Sequence, residues 1–319
     1  MELTLIIALF LLGIVFIVKG GDLFVDAAAW MAEVSGIPKL IIGATIVSLA
    51  TTLPEMLVSV MAAAQGKVDM AIGNAVGSVT ANLGLIMAIS LICMPGVIRR
   101  RDYLAKAVLM LAASALVVVS GLMGQVGLAI SLVLIAVFAA FLWENVSSAV
   151  HALRAEGGGR AGKISVEKKV LVMNLLKFAV GTVGIVWGAD LLVDNGSELA
   201  RLAGISERVI GVTVIAVGTS LPELITTLTA IIKKQSSLSV GNILGANIID
   251  LTLILPLSSL VPGKPLPIAA GSSALDLPAC LLVGTIALVP TMVTGKFHRW
   301  QGILLLAVYG GYVFLTCIA

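Results

Sequence analysis

The sequence predicts an all-α polytopic membrane protein, with ten transmembrane helices arranged as two inverted-topology repeats of five. This prediction rests on composition, on the length of the apolar segments and on an internal repeat. Hydrophobic residues make up 59% of the 319 residues and charged residues 12%, whereas a soluble domain has about 45–50% and about 25%. The mean hydropathy is +1.13, so we expect the whole chain, rather than a single anchor, to lie in the membrane.

Ten apolar segments reach the length of about 20 residues that an α-helix needs to cross a bilayer. They cover residues 3–25, 38–64, 70–94, 103–123, 126–149, 169–193, 208–232, 238–260, 273–294 and 299–318. The first is not expected to be a secretory signal, because Glu2 stands where a basic start belongs and no small-residue cleavage pattern follows. The long polar connection 151–168 is expected to be a solvated linker between a first repeat, 1–150, and a second, 169–319.

Lysine and arginine residues in the loops predict the orientation of the chain. When alternate loops are assigned to alternate sides, fourteen fall on the side of the linker and four on the other side, namely Lys67, Arg201, Arg208 and Lys264. Positive residues accumulate on the cytoplasmic side. We therefore expect an integral membrane protein with both termini outside and the 151–168 loop in the cytoplasm. Membrane lipid is an expected partner and nucleic acid is not; the sequence sets no oligomeric state.

The two halves are related by a constant offset of 168 residues without a gap. The segment Leu53-Pro54-Glu55 matches Leu221-Pro222-Glu223, Gly73-Asn74 matches Gly241-Asn242, and Asn82 aligns with Asp250. Because five is an odd number, the second copy enters the membrane from the opposite side. Channels can be built this way, but inverted repeats are typical of secondary transporters, whose sites lie near the midplane between the repeats.

A glutamate lies near the centre of spans two and seven, Glu55 and Glu223, at a cost of about 2.5–3.5 kcal/mol each on insertion scales. Each follows a proline, which cannot donate to the carbonyl oxygen four residues earlier. Thr51 and Thr219 lie four residues before their glutamates and therefore on the same helical face. Carboxylate, hydroxyl and freed carbonyl oxygens together form the kind of shell that Ca²⁺ takes at about 2.3–2.6 Å.

Spans three and eight carry a matching stripe with the spacing i, i+4, i+8. It consists of Asn74, Ser78 and Asn82 in the first repeat, and of Asn242, Ala246 and Asp250 in the second. Glycines beside the stripe allow close helix approach. Pooled at one depth, the site would contain three carboxylates and no basic residue, so its counter-charge must come from protons or bound metal. Such a site suits one divalent cation or several monovalent ones.

Further polar and sulfur-containing residues have plainer interpretations. Aspartates near the ends of spans one and six are expected to anchor these spans at the membrane interface: Asp22, Asp26, Asp190 and Asp194. The three cysteines lie in separate apolar segments without metal-ligand spacing and are expected to be buried thiols: Cys93, Cys280 and Cys317.

At these residues the chain resembles the cation/calcium antiporter superfamily, and most of all the prokaryotic sodium/calcium exchangers. The two signature regions stand here as 43–55 with 73–84, and as 211–223 with 241–250. The resemblance implies that Glu55 and Glu223 are central ligands shared by Ca²⁺ and Na⁺. It implies further ligand oxygens from Thr51, Thr219, Asn82 and Asp250, from the backbone near Ser48 and Ala216, and from the hydroxyls of Thr52, Ser220 and Ser78. It also implies that spans one and six slide across the other helices to give alternating access.

The chain departs from the family pattern at informative positions. Residues 50–52 read Ala-Thr-Thr where the family has Gly-Thr-Ser, which keeps both hydroxyls. Ala246 stands where the family commonly has a serine that helps to hold a peripheral Na⁺, so the number of Na⁺ sites and the coupling ion are in question. The glutamate that proton/calcium exchangers carry soon after their Gly-Asn motifs is absent from both copies, which argues against proton coupling.

The expected function is secondary active antiport that exchanges Ca²⁺ for Na⁺ by alternating access at a midplane carboxylate site, without a cofactor. The alternatives are an exchanger of the same superfamily that uses H⁺, K⁺, Mg²⁺ or Mn²⁺, and a cation channel. An enzyme is not expected. An aspartyl protease needs two facing aspartates, whereas Asp250 has Asn82 as its repeat partner, and no Ser/His or HExxH constellation lies within the spans.

Overall fold

The computed structural model describes residues 3–155, 167–204, 218 and 220–318. These residues contain ten helices, which fall at the ten predicted positions and confirm the all-α class. In chain order they are α1 (Leu3–Ser35), α2 (Lys39–Ala64), α3 (Val68–Cys93), α4 (Arg100–Leu122), α5 (Leu128–Ala155), α6 (Lys168–Leu202), α7 (Leu221–Ile232), α8 (Ser236–Leu260), α9 (Ser272–Thr294) and α10 (Arg299–Ile318).

Eight of the described helices, α1 to α6 with α8 and α9, are long and apolar enough to cross a membrane. Helix α7 is described only from Leu221 onward, within the predicted span 208–232, and α10 has 20 residues. Each half of the chain contributes five consecutive helices, so the second half runs through the membrane in the opposite sense. We call the side of the 151–168 loop the linker side and the opposite one the far side.

Helices α1 and α6 are longer than the predicted spans 3–25 and 169–193, with 33 and 35 residues. Helix α1 therefore measures roughly 50 Å, against a hydrocarbon core of about 30 Å. The length rule for apolar segments missed the extra turns of α1, because the alanine-rich residues 27–32 continue the helix beyond the apolar run of membrane length. The two helices stop just before Gly36 and Gly204, which are repeat counterparts with φ of 69° and 80°. This left-handed conformation favours glycine.

Helices α1 and α6 pack on each other through glycines and form a pair beside the other eight. A Cβ atom added at Gly20 of α1 would lie 2.8 Å from the backbone nitrogen of Ile185 in α6, so the two backbones touch. Only 22% and 17% of the most apolar stretches of α1 and α6 are buried, against 72% and 83% for α3 and α8. The pair is thus peripheral, whereas α3 and α8 form the centre of the bundle.

The central helices contain single π-helical turns at equivalent positions. In α3 the turn covers Asn82–Met87, and in α8 it covers Asp250–Ile254, so each begins at a polar residue of the predicted site. A third π-helical turn, Gly43–Val47, immediately precedes Ser48 in α2. Such turns occur frequently at functional sites, because they re-aim side chains and loosen the regular backbone bonding. Hydrophobic periodicity did not reveal them.

Helix α2 crosses α8 with the backbones in contact. A Cβ atom added at Gly241 would lie 3.0 Å from the backbone nitrogen of Ala44, and one at Gly245 would lie 2.5 Å from the carbonyl oxygen of Ala44. The predicted close approach is confirmed for these two glycines. Their counterparts Gly73 and Gly77 face no described atom within 4 Å.

Short antiparallel pairings connect loops of the two halves. Strand β1 (Gln125–Val126) pairs with β2 (Leu266–Pro267), with Gln125 opposite Pro267 and Val126 opposite Leu266. A bridge between Val97 and Lys296 joins loops at the other end of the bundle. The sequence did not predict these pairings, because two residues are too few to show a strand pattern. They join the loop between α4 and α5 to the loop between α8 and α9, and the loop between α3 and α4 to the loop between α9 and α10.

Candidate cation-binding site

Two buried glutamates, Glu55 of α2 and Glu223 of α7, face each other across the interface between the repeats. They are 3% and 1% exposed, and their carboxyl groups lie close enough to interact with each other and with Asp250. Atom Oε1 of Glu223 accepts a hydrogen bond of 3.2 Å from Thr52. The Oε2 atoms of both glutamates have no partner among the described residues. A buried carboxylate oxygen without a donor is a ready ligand for a cation.

Hydroxyl groups of α2 surround the carboxylates. The hydroxyl of Thr52 also lies 2.6 Å from the carbonyl oxygen of Ser48, so its single proton can go to either acceptor, and Thr51 reaches the same carbonyl oxygen at 3.2 Å. Thr51 also lies 3.4 Å from Oδ1 of Asn242 in α8, across the repeat interface. Pro54 sits inside α2, as the sequence predicts. The structure therefore brings Ser48, Thr51 and Thr52 to the glutamate pair.

The central helices carry further buried oxygens that are candidate ligands. Asn82 and Asp250 are each 1% exposed. Oδ1 of Asn82, Oγ of Ser78 and both carboxylate oxygens of Asp250 lack partners in the described part of the chain. Ser220 is also buried, with an unpartnered hydroxyl in the same sense. Thr219 and Ala216, the other two predicted site residues, lie outside the described residues.

Asp250 interacts electrostatically with the two glutamates but does not complete a close cluster of three carboxylates. No three acidic, histidine or cysteine side chains of the described ranges converge closely enough to hold one ion. The three carboxylates therefore do not form a single cage in this conformation. A cation between Glu55 and Glu223 would draw its other ligands from hydroxyl, amide and carbonyl oxygens, which are ordinary ligands of Ca²⁺ and Na⁺.

Asn247 was missed from the sequence, although it is fully buried in α8, one turn before Asp250. Its Oδ1 accepts a hydrogen bond of 3.1 Å from Nδ2 of Asn82. This bond fixes the orientation of the Asn82 amide, whose Oδ1 has no partner among the described residues. Asn247 has Val79 as its repeat counterpart, so a search for matching polar pairs passed over it. The sequence signal that could have identified Asn247 is a polar residue in the middle of span eight, directly after the position where Ala246 replaces a hydroxyl.

Asn74 supports the site rather than lining it. Its side-chain amide donates to the backbone oxygen of Glu55 at 3.2 Å and to Oγ of Ser59 at 2.8 Å. These bonds hold the α2 turn that carries Glu55 against α3. Its counterpart Asn242 instead meets Thr51 on the other repeat, so the two asparagines do different work.

A cavity of about 120 Å³ adjoins Glu55 on the far side. Its lining includes Pro54 and Glu55 of α2, Asp190 and Asp194 of α6, Gly218 before α7 and Pro222 in α7. The two aspartates of α6, which the sequence predicts as interfacial anchors, thus share a cavity with a ligand candidate.

The linker side carries a cluster of ion pairs at the corresponding place. The ammonium group of Lys233, directly after α7, lies 2.7 Å from a carboxylate oxygen of Asp26 and 3.2 Å from one of Asp22. Partial burial lowers the pKa of Lys233, but hydrogen bonds and charges from Asp26 and Asp22 outweigh this effect and raise it. Lys233 therefore stays charged. Nearby, Lys39 binds Glu33 at 3.0 Å and Gln235 at 2.8 Å, so loops on this side are cross-linked by polar contacts.

One expectation about the cysteines is wrong. Cys280 is buried, as predicted, but Cys93 is exposed. It is the last residue of α3, where the helix leaves the packed interior before Met94. The side chain of Cys317 lies outside the described part of the chain.

Comparison with known proteins identifies the family. The family model described as sodium/calcium exchanger protein matches residues 5–146 and 173–318. An uncharacterized membrane protein of Methanocaldococcus jannaschii is 30% identical over 312 residues, covering 96% of both chains. The sodium/calcium exchanger MaX1 of Methanosarcina acetivorans is 30% identical, covering 98% of both. A structure of the sodium-calcium exchanger NCX_Mj superposes with a TM-score of 0.81 at 29% identity, over 98% of this chain and 99% of that one. The chain belongs to the sodium/calcium exchanger family.

Proposed function

We propose that this protein is a secondary active antiporter that exchanges Ca²⁺ for Na⁺ by alternating access. Family membership supports the transported ions, and the facing pair Glu55 and Glu223 is the observation that carries the proposal. Both carboxylates are buried, each has a free oxygen among the described contacts, and they interact with each other. Keeping two such charges together in the membrane is costly unless cations neutralise them.

Competition explains the coupling of the two ions. Further ligand oxygens around the glutamates are proposed to come from α2, from the central helices and from the residue before α7. The residues are Ser48, Thr51 and Thr52 of α2, Ser78, Asn82 and Asp250 of the central helices, and Ser220. Thr219 and the backbone near Ala216 are proposed on the strength of the repeat. The same carboxylates cannot be satisfied by one Ca²⁺ and by several Na⁺ at once. Binding of one set of ions therefore displaces the other.

Access from one side at a time follows from the difference between the two ends of the bundle. On the far side a cavity lined by Asp190 and Asp194 reaches Glu55. On the linker side Lys233 joins α7 to α1 through Asp22 and Asp26. We propose that the peripheral α1–α6 pair slides across the central helices to exchange these two arrangements. Its glycine contacts allow it to move as one unit.

The orientation and the division of the chain are part of the same proposal. The alternate-loop assignment places fourteen of the loop lysines and arginines on the linker side, which we assign to the cytoplasm; the termini and the cavity then face outward. Residues 1–150 form the first repeat, 151–168 the cytoplasmic loop and 169–319 the second repeat. The membrane is a prokaryotic plasma membrane.

The test is Ca²⁺ uptake into proteoliposomes under an imposed Na⁺ gradient, compared with a pH gradient and with no gradient. We expect uptake that follows the Na⁺ gradient and vanishes without one. Uptake driven only by the pH gradient would make the protein a proton-coupled exchanger. Ca²⁺ flux that needs neither gradient would overturn exchange and favour a channel.

A further inference from the structure

The aspartates Asp190 and Asp194 of α6 differ sharply from their repeat counterparts in α1. Asp22 and Asp26 bind Lys233 at 3.2 and 2.7 Å. The residue equivalent to Lys233 is Gln65, a neutral side chain that cannot compensate a carboxylate. Among the described residues, no cation pairs with Asp190 or Asp194. The same pair of acidic positions therefore forms ion pairs on the linker side, but none with the described residues on the far side.

Asp190 and Asp194 line the same cavity as Glu55. Asp190 and Asp194 are one helical turn apart, so their side chains lie on one face of α6. Both line the cavity of about 120 Å³ that also reaches Glu55. Glu55 is 97% buried, given its exposure of 3%, and its Oε2 has no described hydrogen-bond partner. The cavity thus has two exposed carboxylates at its rim and a buried, unpartnered carboxylate at its inner end. A cation can therefore meet negative charge at each step from the surface to Glu55.

We propose that Asp190 and Asp194 form an outer cation-binding site, which holds a hydrated Ca²⁺ or Na⁺ before it loses water and passes to Glu55. This inference rests on the proposed transport function. The cavity is large enough for an ion with part of its water, since a water molecule occupies about 30 Å³ of liquid volume. Carboxylates separated by one turn bind such an ion weakly and mainly by charge, so the site raises the local concentration without trapping the ion.

The proposal requires that removal of the aspartate charges lowers the apparent affinity from the far side and leaves the maximal rate unchanged. Initial Ca²⁺ uptake is measured against external Ca²⁺ in proteoliposomes with a single orientation. We expect Asp190→Asn and Asp194→Asn each to raise the apparent KM for Ca²⁺ by about 2- to 5-fold at low ionic strength, with the double variant about 10-fold. The matched control is Glu198→Gln, because Glu198 lies one turn further along α6, outside the cavity, and pairs with Arg201. It should leave KM unchanged.

Ionic strength separates charge steering from structural damage. The wild type and the double variant are compared between about 0.01 M and about 0.5 M choline chloride, over which the screening length falls from about 30 Å to less than 10 Å. The difference in KM should shrink as salt rises. A difference that persists unchanged at high salt, or an unchanged KM in the double variant at low salt, would overturn the proposal.

A charge-restoring variant keeps the test decisive if the asparagine variants insert poorly. Asp194→Cys is made with the three native cysteines replaced by alanine, since Cys93 is exposed. An anionic methanethiosulfonate should lower KM towards the wild-type value and a cationic one should raise it; equal effects of both reagents would contradict the assignment. The wild-type protein in the same assay tests the proposed function separately. If its Ca²⁺ flux does not depend on Na⁺, the exchange proposal fails, but the KM of that flux still measures binding at the outer site.

Discussion

The two repeats share a scaffold but present different polar atoms to the same site. In both, a proline-glutamate turn faces a central helix whose π-helical turn begins at the equivalent residue, Asn82 or Asp250. Yet the first repeat carries Ser78 next to Val79, and the second carries Ala246 next to Asn247. The first thus offers a hydroxyl where the second offers an amide one position later, and a neutral amide where the second offers a carboxylate.

This difference separates what the repeats must share from what each can vary. The two glutamates are the same, as the proposed site requires if each repeat contributes a carboxylate to one ion. The residues around them can differ, because a bound ion requires ligand oxygens but does not require that they come from equivalent positions. The ends of the bundle differ in the same way, since Lys233 has Gln65 as its counterpart. Replacing a residue of one repeat by its counterpart in the other repeat therefore tests each of these differences.

The largest effect is expected where the repeats agree. Glu55→Gln and Glu223→Gln should each reduce Na⁺-driven Ca²⁺ uptake to background, because an amide keeps the size of the side chain but cannot neutralise a divalent cation. Membrane insertion should be unchanged, since the neutral amide is less costly to bury. Uptake in proteoliposomes checks this, with Glu198→Gln as the control that should retain activity. Near-normal exchange in either variant would remove that glutamate from the site.

The next effect concerns the ion pairs on the linker side. Lys233→Gln copies Gln65 and removes the contacts with Asp22 and Asp26. Partly exposed ion pairs contribute about 0.2–1 kcal/mol each, so two pairs shift the balance between the two access states by about 2- to 30-fold. Hydrogen exchange of residues 22–35 and 228–235 should therefore become faster in the variant.

The reciprocal change completes that test. Gln65→Lys places a cation near Asp190 and Asp194 and should slow exchange at the far ends of α2 and α6, favouring closure on that side. If neither variant alters exchange at its own end of the bundle, the ion pairs do not hold the linker side closed.

A smaller effect is expected from the amide that only the second repeat has. Asn247→Leu removes the acceptor for Nδ2 of Asn82, so Oδ1 of Asn82 is no longer held free for the ion. A hydrogen bond of this kind contributes about 0.5–1.5 kcal/mol, or about 2- to 13-fold in ion affinity. Asn247→Asp retains an acceptor for Asn82 and should lose less affinity for Ca²⁺. In a double-mutant cycle with Asn82→Ala, the effect of Asn247→Leu should largely disappear; simple additivity would mean that Asn247 acts on packing alone.

The smallest effect is expected at the missing hydroxyl. Ala246→Ser restores the counterpart of Ser78 in a fully buried position and should lower the Na⁺ concentration for half-maximal exchange by about 2- to 5-fold, as one added ligand oxygen allows. Ser78→Ala should raise it. Na⁺ titrations of exchange at constant Ca²⁺ measure both. Unchanged titrations would show that neither position contributes a Na⁺ ligand.

Much of the fold could be predicted because a bilayer imposes a length on every apolar segment and an odd repeat imposes inversion. The C-terminal part of α1, from Asp26 to Ser35, was missed because helix formation continues beyond the apolar run that the length rule detects. The π-helical turns at Asn82 and Asp250 were missed because one extra residue in a turn hardly changes the hydrophobic pattern.

The centre of the site was accessible from the sequence because Glu55 and Glu223 are rare residues at matched positions. Asn247 was not, because it has no polar counterpart. The link between Asp190 and Glu55 was not either, since it depends on how α6 packs against α2. Side-chain direction across a helix interface is a property of packing, which a single sequence does not contain.

Mutual exclusion of the two ions tests the central claim most directly. Ca²⁺ binding to the purified protein is titrated calorimetrically at rising Na⁺ concentrations, with ionic strength held constant by choline. If Glu55 and Glu223 serve both ions, the apparent Kd for Ca²⁺ should rise steadily with Na⁺, more steeply than first order, while the number of Ca²⁺ bound stays the same. A Kd for Ca²⁺ that is independent of Na⁺ would contradict a shared carboxylate site.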